Sequence, residues 1–349
     1  MSNIALRIVL AASAALVVCF AFITADRAVG AKTEAPASGS EWVVYQGAKG
    51  PGAGKHIVLV AGDEEYRSEE CLPQLGKILA KRHGFKCTVL FSITDGVIDP
   101  NNQKNIPGLE ALKTADLMII ATRFRDLPDD QMKHVADYID AGKPVIGMRA
   151  GLVAFWLKSS KTYERFCWKG KVWKGGFGRK ILGQTWMGHH GRHGRQSTRG
   201  ILVPEAKDHP IVQGCTDIWG PTDVYVSPRP MPEGSTVLFK GQVIDGMKPA
   251  DKPAEGKKNN PMMSMAWTKT YKGGKGQVGR VFMTTMGDAQ DVANEGLRRM
   301  LVNASYWCLG MEKNIPAKSN VDVVGEYKPS RFGFNKFKKG VKPSAHEMK

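Results

Sequence analysis

Between His56 and Met148 the chain repeats one pattern four times: a short, unbroken apolar run followed by a polar or helical stretch. The runs are His56–Ala61, Lys86–Phe91, Ala115–Ala121 and Pro144–Met148. A strand with one wet face alternates apolar and polar residues, so runs without alternation are strands covered on both faces. Between them, Ser68–His83 sets Leu72, Leu75, Ile78 and Leu79 at helical spacing behind a candidate N-cap at Ser68. Pro128–Ala141 reads as a second helix, closed by Gly142. Residues 92–105 read as a polar loop. Strands and helices alternating through short connections predict a parallel sheet with right-handed crossovers. The expected fold class is therefore α/β, a three-layer αβα domain on a mostly parallel sheet.

The later half is less regular. Thr198–Val203, Thr236–Lys240, Met262–Tyr271 and Gln277–Thr285 read as strands, and Ala293–Leu309 as a long amphipathic helix. Gly273-Gly274-Lys275-Gly276 precedes a strand rather than a helix, so it reads as a hairpin turn and not as a phosphate loop. Residues 32–54 have a linker composition, with Trp42–Tyr45 as a short edge strand. The α/β domain is expected over residues 55–311, and residues 312–349 form an irregular basic C-terminal tail that packs on the domain or reaches a partner. Hydrophobic residues at 42% and charged residues at 24% suit a core of that size and exclude a disordered chain.

At the N-terminus, Arg7 precedes the charge-free stretch Ile8–Thr24 and then Val29-Gly30-Ala31. This reads as a signal peptide over residues 1–31, with export to the periplasm or outside the cell. Seventeen residues lie at the short limit for a bilayer span, so an uncleaved anchor is the second reading. No membrane span is expected after cleavage. The chain carries 50 Lys+Arg against 33 Asp+Glu, a net charge of +17. In a cytosolic protein that excess points to nucleic acid. Export shifts the expected partners to anionic glycans or envelope polymers. The basic residues read as dispersed apart from Arg331–Lys349, and no helix-turn-helix, finger or RNA-recognition pattern occurs, so no specific nucleic acid is expected. Cys71, Cys87, Cys167, Cys215 and Cys308 have no C-x-x-C spacing, which argues against a cysteine zinc site.

In an open parallel sheet, ligands bind beyond the carboxyl ends of the strands. Four loops qualify: Gly62–Arg67, Arg123–Asp126, Arg149–Gly151 and Met286–Asp291. All carry charge. Asp63 and Glu64 are candidates for an acid partner or a metal ligand. Tyr66, Arg67, Arg123, Arg125, Asp288 and Gln290 are candidate substrate contacts. Gly147-Met148-Arg149-Ala150-Gly151 has the spacing of a nucleophile elbow with Arg149 in the nucleophile's place. Arginine cannot attack a carbonyl, but it can hold an anionic oxygen. Three of the eight histidines, His189, His190 and His193, lie in a glycine-bounded loop, a pattern for proton transfer or metal binding. His190 or His189 is the expected base, with His190 within reach of the Asp63, Arg149 and Asp288 loops. Neighbouring side chains in an extended segment point to opposite sides, so the two would not both face one ion. A divalent metal such as zinc, with His189, His190 and Asp63 as candidate ligands, would need a carboxylate brought in by the fold.

Three segments resemble the ThuA-like (trehalose-utilisation) family. They are His56–Phe91; Met187-Gly188-His189-His190-Gly191 with Asp208-His209-Pro210-Ile211-Val212; and Gly279-Arg280-Val281-Phe282, Met286-Gly287-Asp288 and the helix carrying Asn303-Ala304-Ser305-Tyr306-Trp307. The resemblance implies a fold similar to class I glutamine amidotransferases and flavodoxin-like proteins. It also implies chemistry on a carbohydrate or sugar derivative and, in some relatives, a metal held by histidines. Two departures stand out: acidic residues in the first loop, and Gly151-Leu152-Val153, where relatives often carry a histidine. Arg149 in place of the amidotransferase cysteine predicts no glutaminase activity. The expected function is an exported ThuA-like protein acting on a carbohydrate by His/carboxylate acid–base or metal-assisted chemistry. The alternative is a non-catalytic glycan-binding or envelope-interaction module.

Overall fold

The computed structural model describes residues 41–47 and 49–348. The expected signal peptide, residues 1–31, lies outside the described residues. The four apolar runs are strands: β2 (His56–Gly62), β3 (Lys86–Leu90), β4 (Leu117–Thr122) and β5 (Val145–Met148). Before them, β1 (Trp42–Tyr45) is the edge strand. After them come β6 (Ser197–Leu202), β7 (Trp219–Gly220), β8 (Thr236–Ile244), β9 (Met263–Lys272) and β10 (Val278–Thr284). All ten form one sheet in the order β1-β3-β2-β4-β5-β10-β9-β8-β6-β7.

The sheet is mixed, which corrects the expectation of a mostly parallel one. Strands β3, β2, β4, β5 and β10 are parallel; every pairing outside that block is antiparallel. The cause is local. The Gly273–Gly276 turn, closed by Gly276 N–H to Gly273 O at 3.0 Å, joins β9 to β10 directly. A tight turn can only join antiparallel neighbours, because a parallel pair needs a long crossover.

Three helices flank the sheet: α1 (Ser68–His83), α2 (Asp129–Asp140) and α3 (Glu295–Cys308). Ile57, Leu59 and Ala61 of β2 pack into the core with α1 and α3, while Val58 and Val60 face the core built on α2. Both faces are dry, which is why the runs do not alternate. The α2 face has no second regular helix among the described residues. It is completed by irregular turns that supply Phe166, Phe177 and Leu182, so the third layer is only partly regular. Ser68 does not cap α1. Arg67 takes the capping position in the left-handed region at φ 55°, and Ser68 Oγ accepts from the N–H groups of Gly62 and Asp63.

The basic tail folds back onto the domain. Tyr327 Oη donates to Ala289 O at 2.7 Å, Ser330 N–H to Glu70 Oε2 at 2.7 Å, and Tyr45 Oη to His346 O at 2.7 Å. Among the described residues, no helix is long and apolar enough to cross a membrane.

Candidate functional site

The site begins with the turn after β5. Arg149 sits there at φ 45°, a left-handed conformation that strains a non-glycine residue and persists only where its surroundings fix it. Those surroundings are explicit. The guanidinium lies between the rings of Tyr66 and Tyr225, 4.4 and 4.0 Å from their centroids. It donates to the main-chain oxygens of Asp223 and Thr285, to Tyr66 Oη at 3.2 Å, and to Asp223 Oδ1 at 3.0 Å. Burial opposes its charge, but Tyr225, Tyr66 and Asp223 keep it firmly protonated.

Asp223 is 1% exposed and stands in the loop after β7. Asp291, from the loop after β10, fixes that loop by accepting from Thr222 N–H at 3.2 Å and Thr222 Oγ1 at 2.7 Å. A Cβ on Gly220 would come within 2.2 Å of Asp291 Oδ1, so only glycine permits this approach. The histidine loop then runs antiparallel to residues 224–226: His190 N–H donates to Val224 O, and Val226 N–H to Gly188 O. A Cβ on Gly191 would sit 2.9 Å from Asp223 Cβ, so that glycine lets the loop close over the carboxylate.

This arrangement places two imidazoles on one buried carboxylate. His189 Nδ1 is 2.8 Å from Asp223 Oδ2, and His193 Nδ1 is 3.0 Å from Oδ1. His193 Nε2 lies 3.2 Å from Glu65 Oε1. Burial disfavours the Asp223 charge, but Arg149 and the two histidines hold it well below the usual carboxylate range. Hydrogen bonds to Asp223 and Glu65 push His193 up to about 9, so it is an imidazolium at neutral pH. Its two nitrogens are occupied. Among the described residues His189 Nε2 has no partner, and the ring lines a small cavity with Glu65, Tyr66, Arg123, Phe124, Trp186 and Tyr225.

The C-terminal tail packs against residues that line the cavity. Phe332 is 4% exposed and packs 5.1 Å from the His193 ring and 5.9 Å from Tyr66. Gly333 N–H donates to Glu65 O at 2.7 Å, and Arg67 donates back to Gly333 O at 3.1 Å. The cavity beside the tail measures about 40 Å³.

The residues singled out in the sequence separate into groups. Arg149, Tyr66 and His189 belong to the site. His190 does not join the Asp223 network; its Nε2 bonds Lys258 O at 2.7 Å, as expected for neighbours in an extended segment. Glu64 is consumed by ion pairs with Arg123 and Arg125. Arg125 is fully buried and also holds Pro100 O and Asn102 O, while Arg123 edges the cavity. Asp63 is buried and accepts from the N–H groups of Glu65 and Tyr66; burial and Glu64 push it up to about 7. Asp288 is buried, binds Gln290 N–H at 2.7 Å, and with Gln290 supports the Asp291 loop rather than lining the cavity. Asp223, Glu65 and Phe332 were not among the sequence candidates, and His193 entered only as a member of the histidine cluster.

Of the candidate metal ligands, only His189 lies in this group. His189, His193 and Asp223 offer donor atoms within 4.8 Å of one another, a spacing and donor set suited to a divalent ion. The charge does not suit one. Asp223 Oδ1 already faces the Arg149 guanidinium, and a metal needs His193 deprotonated where two carboxylates hold its proton. With Asp223 Oδ1 on Arg149 and both His193 nitrogens on carboxylates, the residues as arranged do not fit a resident ion.

Fold and site define an α/β protein with a His–carboxylate centre at the ends of a mixed sheet. Residues 58–308 match the ThuA family, described as trehalose utilisation, and the chain belongs to that family. Similar solved structures include a ThuA-like protein from Parabacteroides merdae, at 16% identity and TM-score 0.47, covering 81% of this chain and 98% of that one. Another, from Bacteroides uniformis, has 14% identity and TM-score 0.46, covering 76% and 95%. No curated protein matches.

Proposed function

We propose that this protein is an exported enzyme performing general acid–base chemistry on a carbohydrate or sugar derivative, with His189 Nε2 as the proton-transferring atom. One observation carries the reading. A buried carboxylate, kept ionised by an arginine, accepts a hydrogen bond from His189 Nδ1–H, and His189 Nε2 has no partner among the described residues while the ring lines the cavity. A carboxylate behind a histidine fixes the tautomer and stabilises the imidazolium formed when Nε2 accepts a proton. His193, already charged, adds a fixed positive field beside that atom for oxygen charge developing on the substrate. Aromatic faces of Trp186, Phe124 and Tyr225 offer the apolar walls that a sugar ring packs against. The family description is the link to sugars. The elbow position carries Arg149, which cannot serve as the amidotransferase nucleophile, so glutamine is not the substrate class.

The test is a panel of disaccharides and their oxidised derivatives, incubated with the full chain and followed by NMR. Conversion of a member, unchanged after dialysis against a chelator, is expected. Binding without conversion would favour the glycan-binding alternative. Conversion abolished by chelation and restored by a divalent ion would favour the metal-assisted route.

A further inference from the structure

A second concavity, of about 610 Å³, shares no lining residue with the cavity beside His189. Its size falls in the range of ligand-binding clefts. Trp173, Lys174, Arg179, Lys180 and Lys269 converge on it, with exposed Glu233 as the one carboxylate and three prolines with Val172 as the remaining wall. The side chains of Lys174, Arg179 and Lys180 make no hydrogen bond or ion pair with any described residue. Among the described residues Lys269 Nζ donates only to the main-chain oxygens of Thr270 and Ile181, at 2.8 and 3.3 Å. Burial and nearby Lys180 push its amine down to about 8. Four cations set against the single exposed carboxylate of Glu233 favour an anion that neutralises them, and a concave basic face concentrates one.

The expectation of dispersed basic residues is corrected here. From Lys158 to Arg199 the chain carries eleven basic residues against one acidic residue, Glu164. Trp173 gives the groove a second character. Its indole is held by Phe166 at 5.0 Å and by the Arg165 guanidinium at 5.3 Å, which fixes it as a flat apolar platform at the edge of the cations. We propose that this groove is a binding site for an acidic saccharide, a sugar ring resting on Trp173 with its carboxylate or sulfate on Lys180 and Lys269. Single-stranded nucleic acid needs a basic track with a succession of stacking rings. This groove has one indole and is bounded by prolines, which suits one or two sugar rings. The proposal stands independently of the reading of His189.

The test is calorimetric titration of the full chain with trigalacturonate, a sulfated disaccharide, neutral maltotriose and a short single-stranded DNA. At least one acidic sugar is expected to bind about tenfold more tightly than maltotriose, and more weakly as salt is added. The two acidic probes decide between carboxylate and sulfate. Lys180→Ala with Lys269→Ala should weaken that binding about tenfold. Trp173→Ala should weaken it about fivefold. Exposed Lys180→Ala alone, with an unchanged melting temperature, guards against misfolding of the other variants. His189→Ala should leave the binding unchanged. Equal affinity for maltotriose, no acidic-sugar binding, binding indifferent to these variants, or tighter binding of DNA that ignores Trp173→Ala would each overturn the proposal.

Discussion

His193 offers a quantitative check on the electrostatics of the site. Asp223 and Glu65 raise its proton affinity so that it titrates near 9, whereas in an unfolded chain it titrates near about 6.5. A group bound more tightly to its proton in the folded state stabilises that state while the proton is on. The contribution is complete below about pH 6.5 and is lost as pH rises through about 9. The difference between those values corresponds to about 3 kcal/mol. The ring is 32% exposed, so solvent screening leaves about 1–2 kcal/mol. His193→Gln keeps a donor of similar reach and removes the titration. Melting temperatures of both proteins across pH 6 to 10, by calorimetry, isolate the effect, because the other groups titrate in both. The wild-type advantage should shrink by about 2–4 °C between roughly pH 6.5 and 9. A difference that stays flat or grows with pH would refute the claim that His193 is a bound imidazolium.

Three further outcomes are expected. Phe332→Ala removes a nearly buried ring packed on Tyr66 and His193 beside the cavity; it should lower stability by about 3–5 kcal/mol in chemical denaturation and, by widening the approach to His189, strengthen binding of any sugar ligand seen by NMR. Gly220→Ala would set a Cβ 2.2 Å from Asp291 Oδ1 and push the Asp223 loop out of place; calorimetry should show a loss of about 1–3 kcal/mol, and its absence would mean the contact relaxes freely. Mass spectrometry of protein recovered from a cell envelope or culture fraction should show a chain beginning at Lys32, and a soluble cytoplasmic pool retaining Met1 would contradict export.

Much of the fold was legible because burial on both faces writes itself into composition. The runs of β2 to β5 lack alternation, and α1 has the bounds its periodicity gives. The strands of the later half were also legible, but their direction was not. Strand direction depends on the connection, and the hairpin glycines at 273–276 contained that information. The site was harder. His189 and Arg149 stood out through the cluster and the elbow. Their partner Asp223 lies 34 positions from His189 with no motif around it. Its one signal was an acid beside Val224 and Tyr225, where burial demands a partner. Phe332 was hidden by the positive charge of the tail, although Phe332, Phe334 and Phe337 alternate with the basic residues there. The sequence could not choose between His189 and His190, because side-chain direction in the extended loop gives Asp223 to His189 and Lys258 O to His190.

The central claim is that proton transfer belongs to His189 and that His190 is structural. Both make hydrogen bonds, and they are adjacent in sequence, so paired substitutions separate them. The decisive measurement is the turnover number for a converted sugar with wild type, His189→Ala and His190→Ala, each first shown folded by its melting temperature. The account predicts a loss of about 100-fold or more for His189→Ala and a change of less than about threefold for His190→Ala. Full turnover in the His189→Ala protein, or the larger loss in His190→Ala, would contradict it.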